Sequence, residues 1–190
     1  FYAYGTAAAN YFPKVFFGDT TNPTVALLAS LLTFAIAFIA RPLGSLVFGH
    51  FGDRMGRKTT LVVSLLTMGI ATFLIGCLPS YSVIGVGAPI LLLLLRMVQG
   101  FSASGEYAGA ATFLGEYAPT SKRGIYCSLI PASTAIGLLA GSTLATLMTA
   151  NMNSSAMVGW GWRVPFLLAG PLGLIVLYIR AKLADSPVYQ

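Results

Sequence analysis

Three ionisable residues, Arg41, Arg96 and Glu106, lie inside long apolar segments of the sequence. An ionised side chain within a membrane-spanning helix costs about 2.5 to 3.5 kcal/mol on insertion scales, so each of the three needs a partner or water. Glu106 lies about 15 Å along a helix from Glu116, and Arg41 lies about 18 Å from Asp53. Because these depths nearly agree, the sequence predicts an intramembrane ion pair between Arg41 and Glu106 if their helices touch.

Two uses of such a pair remain open. In the structural use, the opposite charges neutralise each other and fix the register of two helices. In the functional use, Glu106 takes up and releases a proton as its access to water alternates, because a carboxyl group in a dry site gains a proton once its cationic partner moves away. The second use predicts proton coupling through Glu106 and Arg41.

Arg96 lies seven residues after Pro89, roughly 10 Å from the helix end. It can extend towards the membrane surface or bind a carbonyl, or it can anchor the carboxylate of a solute with two hydrogen bonds. Other polar side chains on the apolar segments are candidate solute contacts, with hydrogen bonding between helices as the alternative. These are Tyr4, Asn10, Tyr107, Ser133 and Thr134.

The composition shows which solvent surrounds these residues. Of 190 residues, 56% are hydrophobic and 8% charged, whereas about a quarter are charged in an ordinary soluble domain. With a mean hydropathy of +0.80 and charge-free stretches long enough for nearly two spans each, the sequence predicts a polytopic, all-α membrane protein. The predicted spans are 1–17, 24–50, 59–78, 89–115, 125–150 and 163–181.

The basic residues follow from this topology. The formal net charge of +6 is explained by loops rather than by a nucleic-acid partner, because seven cations fall on one side of the predicted bundle and two on the other. The cytoplasmic loops of membrane proteins carry more Lys and Arg than the loops on the other side, so the side with seven cations is predicted to be cytoplasmic. The seven are Arg54, Arg57, Lys58, Lys122, Arg123, Arg180 and Lys182. Since the chain opens at Phe1 inside an apolar segment, we expect it to be a piece of a longer protein.

Small residues recur at close spacing, as at Gly100, Ala103 and Ser104, and again at Gly137 and Gly141. Such positions let helix backbones approach each other in lipid, so we interpret them as packing sites. Trp160 and Trp162 fall at an expected membrane interface, and we interpret them as anchors in an aromatic belt.

A pattern at the end of the second span has a more specific interpretation. Its two glycines permit a tight turn, Asp53 can accept hydrogen bonds at a neighbouring helix end, and three cations can hold an acidic partner. The residues are Gly49, Asp53, Arg54, Gly56, Arg57 and Lys58. The segment resembles the G-x-x-x-D-R-x-G-R-K signature of the major facilitator superfamily, which also follows the second helix there.

Further stretches resemble superfamily elements in the same order. Arg96 to Gly100 is similar to R-x-x-x-G, Glu116 to Gly124 is similar to E-x-x-P-x-x-x-R-G, and residues 160–166 are similar to the entry of the sixth helix. The tail at 185–187 is similar to the element that closes the first half. The resemblance implies the amino-terminal six-helix bundle, built from two inverted three-helix repeats, with a carboxy-terminal bundle absent. It also implies a cytoplasmic gate in which the signature residues meet Glu116 and Arg123.

Within the superfamily, residues 40–44 and 100–107 resemble the metabolite to proton symporter family, nearest to its proline and glycine betaine transporters. This implies proton-coupled symport of a small carboxylate or zwitterionic solute across the bacterial inner membrane, with protons as the coupling ion and no cofactor. The acidic residue that the family brings on its first helix falls upstream of Phe1. A receptor or scaffold and a membrane-embedded enzyme are the alternatives. The enzyme is disfavoured because no catalytic motif or metal-ligating cluster occurs.

Overall fold

The computed structural model describes residues 2–18 and 22–182. All regular structure in these ranges is helical, which confirms the predicted all-α class. The helices are α1 Tyr2–Asn10, α2 Phe12–Phe16, α3 Pro23–Met55, α4 Arg57–Cys77, α5 Tyr81–Ile84, α6 Gly87–Tyr117, α7 Arg123–Asn151, α8 Ser154–Gly159 and α9 Val164–Ala181. The predicted tail element at 185–187 lies outside the described residues.

Five helices of the described chain, α3, α4, α6, α7 and α9, are long and apolar enough to cross a membrane. The opening segment, predicted as one span, is instead divided at Tyr11 into α1 and α2. Pro13 stands in the first turn of α2, and because a proline lacks the N–H that would continue the preceding helix, it favours a new helix start there.

Local sequence explains the ends of the long helices. The side chain of Asn22 accepts a hydrogen bond from the backbone N–H of Thr24 at 3.0 Å, which caps α3 at its start. Gly56 has a φ of 95° and joins α3 directly to α4. Because a side chain strains this backbone conformation, glycine is favoured there. The turn is shorter than the predicted loop at 51–58, since α3 continues through the signature to Met55.

The closest helix pairing is between α3 and α6, which pack along much of their length. A Cβ added to Gly100 would collide with the backbone of Ala37, and one added to Gly44 would collide with the carbonyl of Phe101. Gly105 likewise faces the ring of Phe48. We call Gly44, Gly100 and Gly105 the glycine seam. Residue numbers rise together along it, so α3 and α6 run parallel.

An apolar core lies at the end of the bundle opposite the Gly56 turn. It joins α1 and α2 to the adjoining ends of α4, α6 and α9. Trp162 is 1% exposed, and its ring lies 5.4 Å from that of Phe12 and 5.2 Å from that of Phe16. The interpretation of Trp162 as a belt residue is therefore wrong, because α2 covers its indole; Trp160 is exposed.

Candidate functional site

A cavity of about 400 Å³ opens between α3, α4, α6 and α7. It is lined by Arg41, Met68, Ala103, Glu106, Tyr107, Ala110, Leu114, Leu129, Ile130, Ser133 and Thr134. The proposed proton-coupling residues Arg41 and Glu106 thus lie in one space, together with Tyr107. Among these lining residues, Arg41 is the only cation and Glu106 the only carboxylate.

The periodicity of the α-helix explains why these residues line the cavity together. Ala103, Glu106, Tyr107 and Ala110 recur at intervals of three and four along α6, so they share one face of the helix. On α7, Ser133 and Thr134 lie one turn after Leu129 and Ile130. Both hydroxyls donate to the carbonyl of Ile130, at 2.8 and 3.0 Å, so their oxygens remain available to accept hydrogen bonds from a solute.

The glycine seam fixes the depth of Arg41 relative to Glu106. Ala37 lies against Gly100 and Phe48 lies against Gly105, so Arg41 is level with about residue 101 of α6. Glu106 then lies roughly 7 Å further along the axis. Both side chains are half-buried, and the Arg41 guanidinium also lies 4.4 Å over the ring of Phe38.

Arg96 has a different environment from Arg41. It is 0% exposed, donates a hydrogen bond to the side-chain oxygen of Gln99, and lies 3.7 Å over the centre of the Tyr4 ring. Gln99, also 0% exposed, donates to the Thr72 hydroxyl at 2.7 Å. In this structure protein atoms therefore enclose the guanidinium, and Arg96 is not among the residues that line the cavity.

A second chain of hydrogen bonds continues this network through α1. The Tyr4 and Thr33 hydroxyls lie 2.7 Å apart, Thr33 donates to the carbonyl of Ser30 at 2.6 Å, and Ser30 donates to the carbonyl of Ala8 at 2.7 Å. Tyr4 is buried within this network, and Asn10 is exposed at the end of α1. Neither lines the cavity, so their roles as solute contacts stay predictions.

Sequence reasoning missed Gln99, Thr72 and Thr33 as partners of the charged and aromatic groups. Gln99 carried a usable signal, because it lies three residues after Arg96 and so on the same helix face. Thr72 and Thr33 carried none, since each meets its partner only through the packing of different helices.

The proposed gate residues gather at the end of the bundle where α3 and α6 finish. Asp53, Arg54 and Arg123 are exposed, whereas Lys58 and Glu116 are half-buried. Gly49 lies within α3 and borders a small space of about 60 Å³ between helices. The side chain of Arg57 lies outside the described part. The gating role of these residues stays a prediction.

Comparison with known proteins bears on this arrangement. Residues 2–190 match the family model described as "Sugar (and other) transporter". The chain belongs to this family. It is therefore a member of the major facilitator superfamily, a multi-pass membrane protein, and part of a transporter family rather than an enzyme family.

Three relatives illustrate the similarity. The chain is 50% identical, over its full length, to the inner membrane metabolite transport protein YhjE of Escherichia coli (strain K12), of which it covers 43%. It is 45% identical over 93% of its length to the proline/betaine transporter of Salmonella typhimurium, of which it covers 35%. It is 43% identical to the shikimate transporter of E. coli (strain K12), again covering 43% of that protein.

The fold is similar to that of a solved transporter. The xylose transporter XylE of E. coli, in a partially occluded inward-open conformation, superposes with a TM-score of 0.81 at 18% identity. The match covers 98% of this chain and 48% of XylE. The chain thus spans less than half the length of each of these proteins, and its helices form the amino-terminal half of the superfamily fold, which confirms that prediction.

Proposed function

We propose that the complete protein is a proton-coupled symporter that imports a small solute carrying a carboxylate group. The observation that carries the proposal is the cavity that contains both Arg41 and Glu106. A guanidinium binds a carboxylate with paired hydrogen bonds, and an ionisable carboxyl group inside a membrane protein is where proton coupling is expected.

The choice of solute class draws on the chemistry of the relatives. Proline, betaine and shikimate, the solutes named for two of them, differ in ring structure and in positive charge, but each carries one carboxylate. A cavity with a single cation among its described lining residues suits that shared group. Tyr107 is exposed and lies beside Glu106, so its ring is available to a solute ammonium group by cation–π attraction.

The mechanism follows alternating access. Transporters of this architecture move one helical bundle against the other around a site near the middle of the membrane. In this protein the described bundle contributes the cavity face of α6 and α7, and α3 contributes Arg41. Glu106 takes a proton from the outer side together with the solute and releases it on the inner side. Solute accumulation is thereby tied to the proton gradient.

Uptake into proteoliposomes that contain the complete protein tests the proposal. Radiolabelled proline, glycine betaine and shikimate are offered with and without an imposed pH step, and a protonophore serves as the control. We expect at least one of them to accumulate only with the pH step. We expect Glu106→Gln to retain exchange of labelled for unlabelled solute and to lose accumulation, because the glutamine binds solute but carries no titratable proton.

Two results would count against this function. The absence of uptake of all three solutes by properly folded protein would exclude the proposed solute class. Normal accumulation by Glu106→Gln would show that the coupling proton binds elsewhere.

A further inference from the structure

The cavity holds one cation and one carboxylate among its described lining residues, and the proposed solute brings a second carboxylate. We propose that the solute carboxylate and the Glu106 carboxylate bind the same guanidinium, that of Arg41, in alternation. This inference rests on the proposed function and deepens it, because it assigns the solute-binding cation and states how proton and solute binding are coupled.

The geometry places both anions within reach of Arg41. The register of the glycine seam puts Glu106 roughly 7 Å beyond Arg41 along the parallel helices, a separation that two long, half-buried side chains can close. Between them on the cavity face of α6 stands Ala103, whose small side chain leaves room beside Arg41. A solute carboxylate entering from the cavity therefore arrives on the same side of Arg41 as Glu106.

Electrostatics makes the two partners compete. Away from bulk water, the attraction and repulsion between charges are much stronger than in water. With an anionic solute, two carboxylates on one guanidinium would leave a net negative charge in the cavity, whereas one carboxylate leaves it neutral. With a zwitterionic solute the net charge balances, but the two carboxylates still compete for the same N–H donors of Arg41. A solute carboxylate is therefore accepted when Glu106 is protonated, and it is expelled when Glu106 loses its proton and returns to Arg41.

This exchange gives the coupling ratio and its direction. One proton neutralises Glu106 for each solute carboxylate that Arg41 accepts, so one proton travels with one carboxylate. The coupling is reciprocal by thermodynamic necessity, so a proton on Glu106 tightens solute binding to the same degree that bound solute tightens proton binding.

Arg96 does not offer an equivalent site in this structure. Its guanidinium is enclosed by Gln99, Tyr4 and the Phe34 carbonyl, and it is not among the residues that line the cavity. The other groups facing Glu106 across the cavity are few. Tyr107 lies on its own helix, Met68 of α4 is uncharged, and the α7 lining consists of Leu129, Ile130, Ser133 and Thr134, which carry no charge.

The test is equilibrium binding to the complete, purified protein across a range of pH, using radiolabelled proline, glycine betaine and shikimate as probes. Wild-type protein is compared with Glu106→Gln, Arg41→Gln and Arg41→Lys. His50→Gln is the control, because His50 is the single histidine of the sequence, is exposed on α3 and is not among the cavity-lining residues. Choline, which has a hydroxymethyl group where betaine has its carboxylate, is the control ligand.

We expect wild-type affinity to rise as the pH falls, by about 5- to 150-fold in total, and His50→Gln to behave in the same way. Glu106→Gln should bind solute at all pH values with the affinity that wild type reaches at low pH. Arg41→Gln should bind weakly without pH dependence. Arg41→Lys should bind more weakly than wild type but keep the pH dependence, since it retains the charge and loses the paired geometry. Choline binding should not strengthen as the pH falls, because choline has no carboxylate to bind the guanidinium that a protonated Glu106 releases.

Two results would overturn the inference while leaving the transport function intact. One is wild-type affinity and pH dependence in Arg41→Gln, and the other is unchanged pH dependence in Glu106→Gln, in each case with uptake still driven by the proton gradient. Should Arg41→Gln not fold, Glu106→Gln alone decides. Absence of binding by all three probes would instead overturn the proposed function together with this inference.

Discussion

Two arginines within the spans of this protein have opposite surroundings. Arg96 has no exposed surface. It lies in a network of hydrogen bonds and a cation–π contact that includes Tyr4 of α1, Thr33 of α3, Thr72 of α4 and Gln99 of α6; we call this the closed network. Arg41 lies one helix away, half-buried, with its side chain at the wall of an open cavity. The two residues would cost a similar amount to insert into lipid, but the first is stabilised by fixed protein groups and the second borders space that a solute can enter.

The comparison teaches which part of the bundle is rigid and which part is available for transport. The closed network and the glycine seam join α3 to α6, and the network also ties in α1 and α4, so we infer that these helices move as one body. By contrast, most of α7 is exposed, and Ala145 is the one residue of this helix that is buried among the described residues. The cavity lies where this rigid body meets α7.

The largest effect is expected from breaking the glycine seam. In Gly100→Val the new Cβ would collide with the backbone of Ala37, and backbone cannot move aside as a side chain can. Overpacking typically costs about 1 to 3 kcal/mol and occasionally more. Here the cost should exceed that range, because the clash with backbone also separates α3 from α6 along the glycine seam. We expect little folded protein in detergent, measured by fluorescence-detected size-exclusion chromatography.

The matched control is Gly69→Val. Gly69 is also a helix-interior glycine, but a Cβ added there meets no heavy atom within 4 Å, and it borders an open apolar groove between α4 and α9. Equal losses from both variants would show that helix propensity, rather than the close contact of α3 and α6, explains the effect.

A smaller loss of stability is expected when the Arg96 side chain is removed from the closed network. Arg96→Ala removes a charged hydrogen bond and a desolvated cation–π contact, together about 3 to 5 kcal/mol. Part of this loss is offset because the cost of burying the charge is removed as well, while the Gln99 oxygen is left buried without its donor. The apparent melting temperature should fall by about 10 °C. Arg41→Ala is the control for the open region. It should lower the melting temperature less than Arg96→Ala does, because water in the cavity can solvate Glu106 once its cationic partner is gone, and a comparable fall would remove the distinction between the two arginines.

Much of the fold was predictable because each long helix depends on the summed hydrophobicity of many residues. Long apolar runs define α3, α4, α6, α7 and α9 without any knowledge of contacts, and the signature residues mark the turn that Gly56 makes. The sequence pattern gave the wrong structure at positions where a single residue or contact determines the local conformation. The broken first helix depends on Pro13, and Trp162 is buried because α2 covers it, which no local pattern in its own segment indicates.

The site was predictable in part for the same reason. The depths of Arg41 and Glu106 follow from counting along helices, and the structure places both residues at one cavity. The surroundings of Arg96 were not predictable, because Tyr4 reaches it from a helix far away in sequence. Nor did composition separate Gly100, which faces backbone, from Gly137, which has nothing within 4 Å of an added Cβ.

The smallest effect on stability is expected from removing a single hydroxyl group, either from the closed network or from the cavity wall. Thr33→Val keeps the shape of the side chain and removes the hydroxyl that pairs with Tyr4 at 2.7 Å. Hydrogen bonds between helices in membranes contribute about 0.6 kcal/mol on average and about 1.7 kcal/mol at most, so the melting temperature should fall by about 2 to 5 °C.

Thr134→Val makes the same change at the cavity wall, where the hydroxyl donates to a carbonyl of its own helix. It should leave the melting temperature nearly unchanged and alter solute affinity instead. If Thr33→Val changed affinity and spared stability while Thr134→Val did the reverse, the regions identified here as rigid core and transport cavity would have to be exchanged.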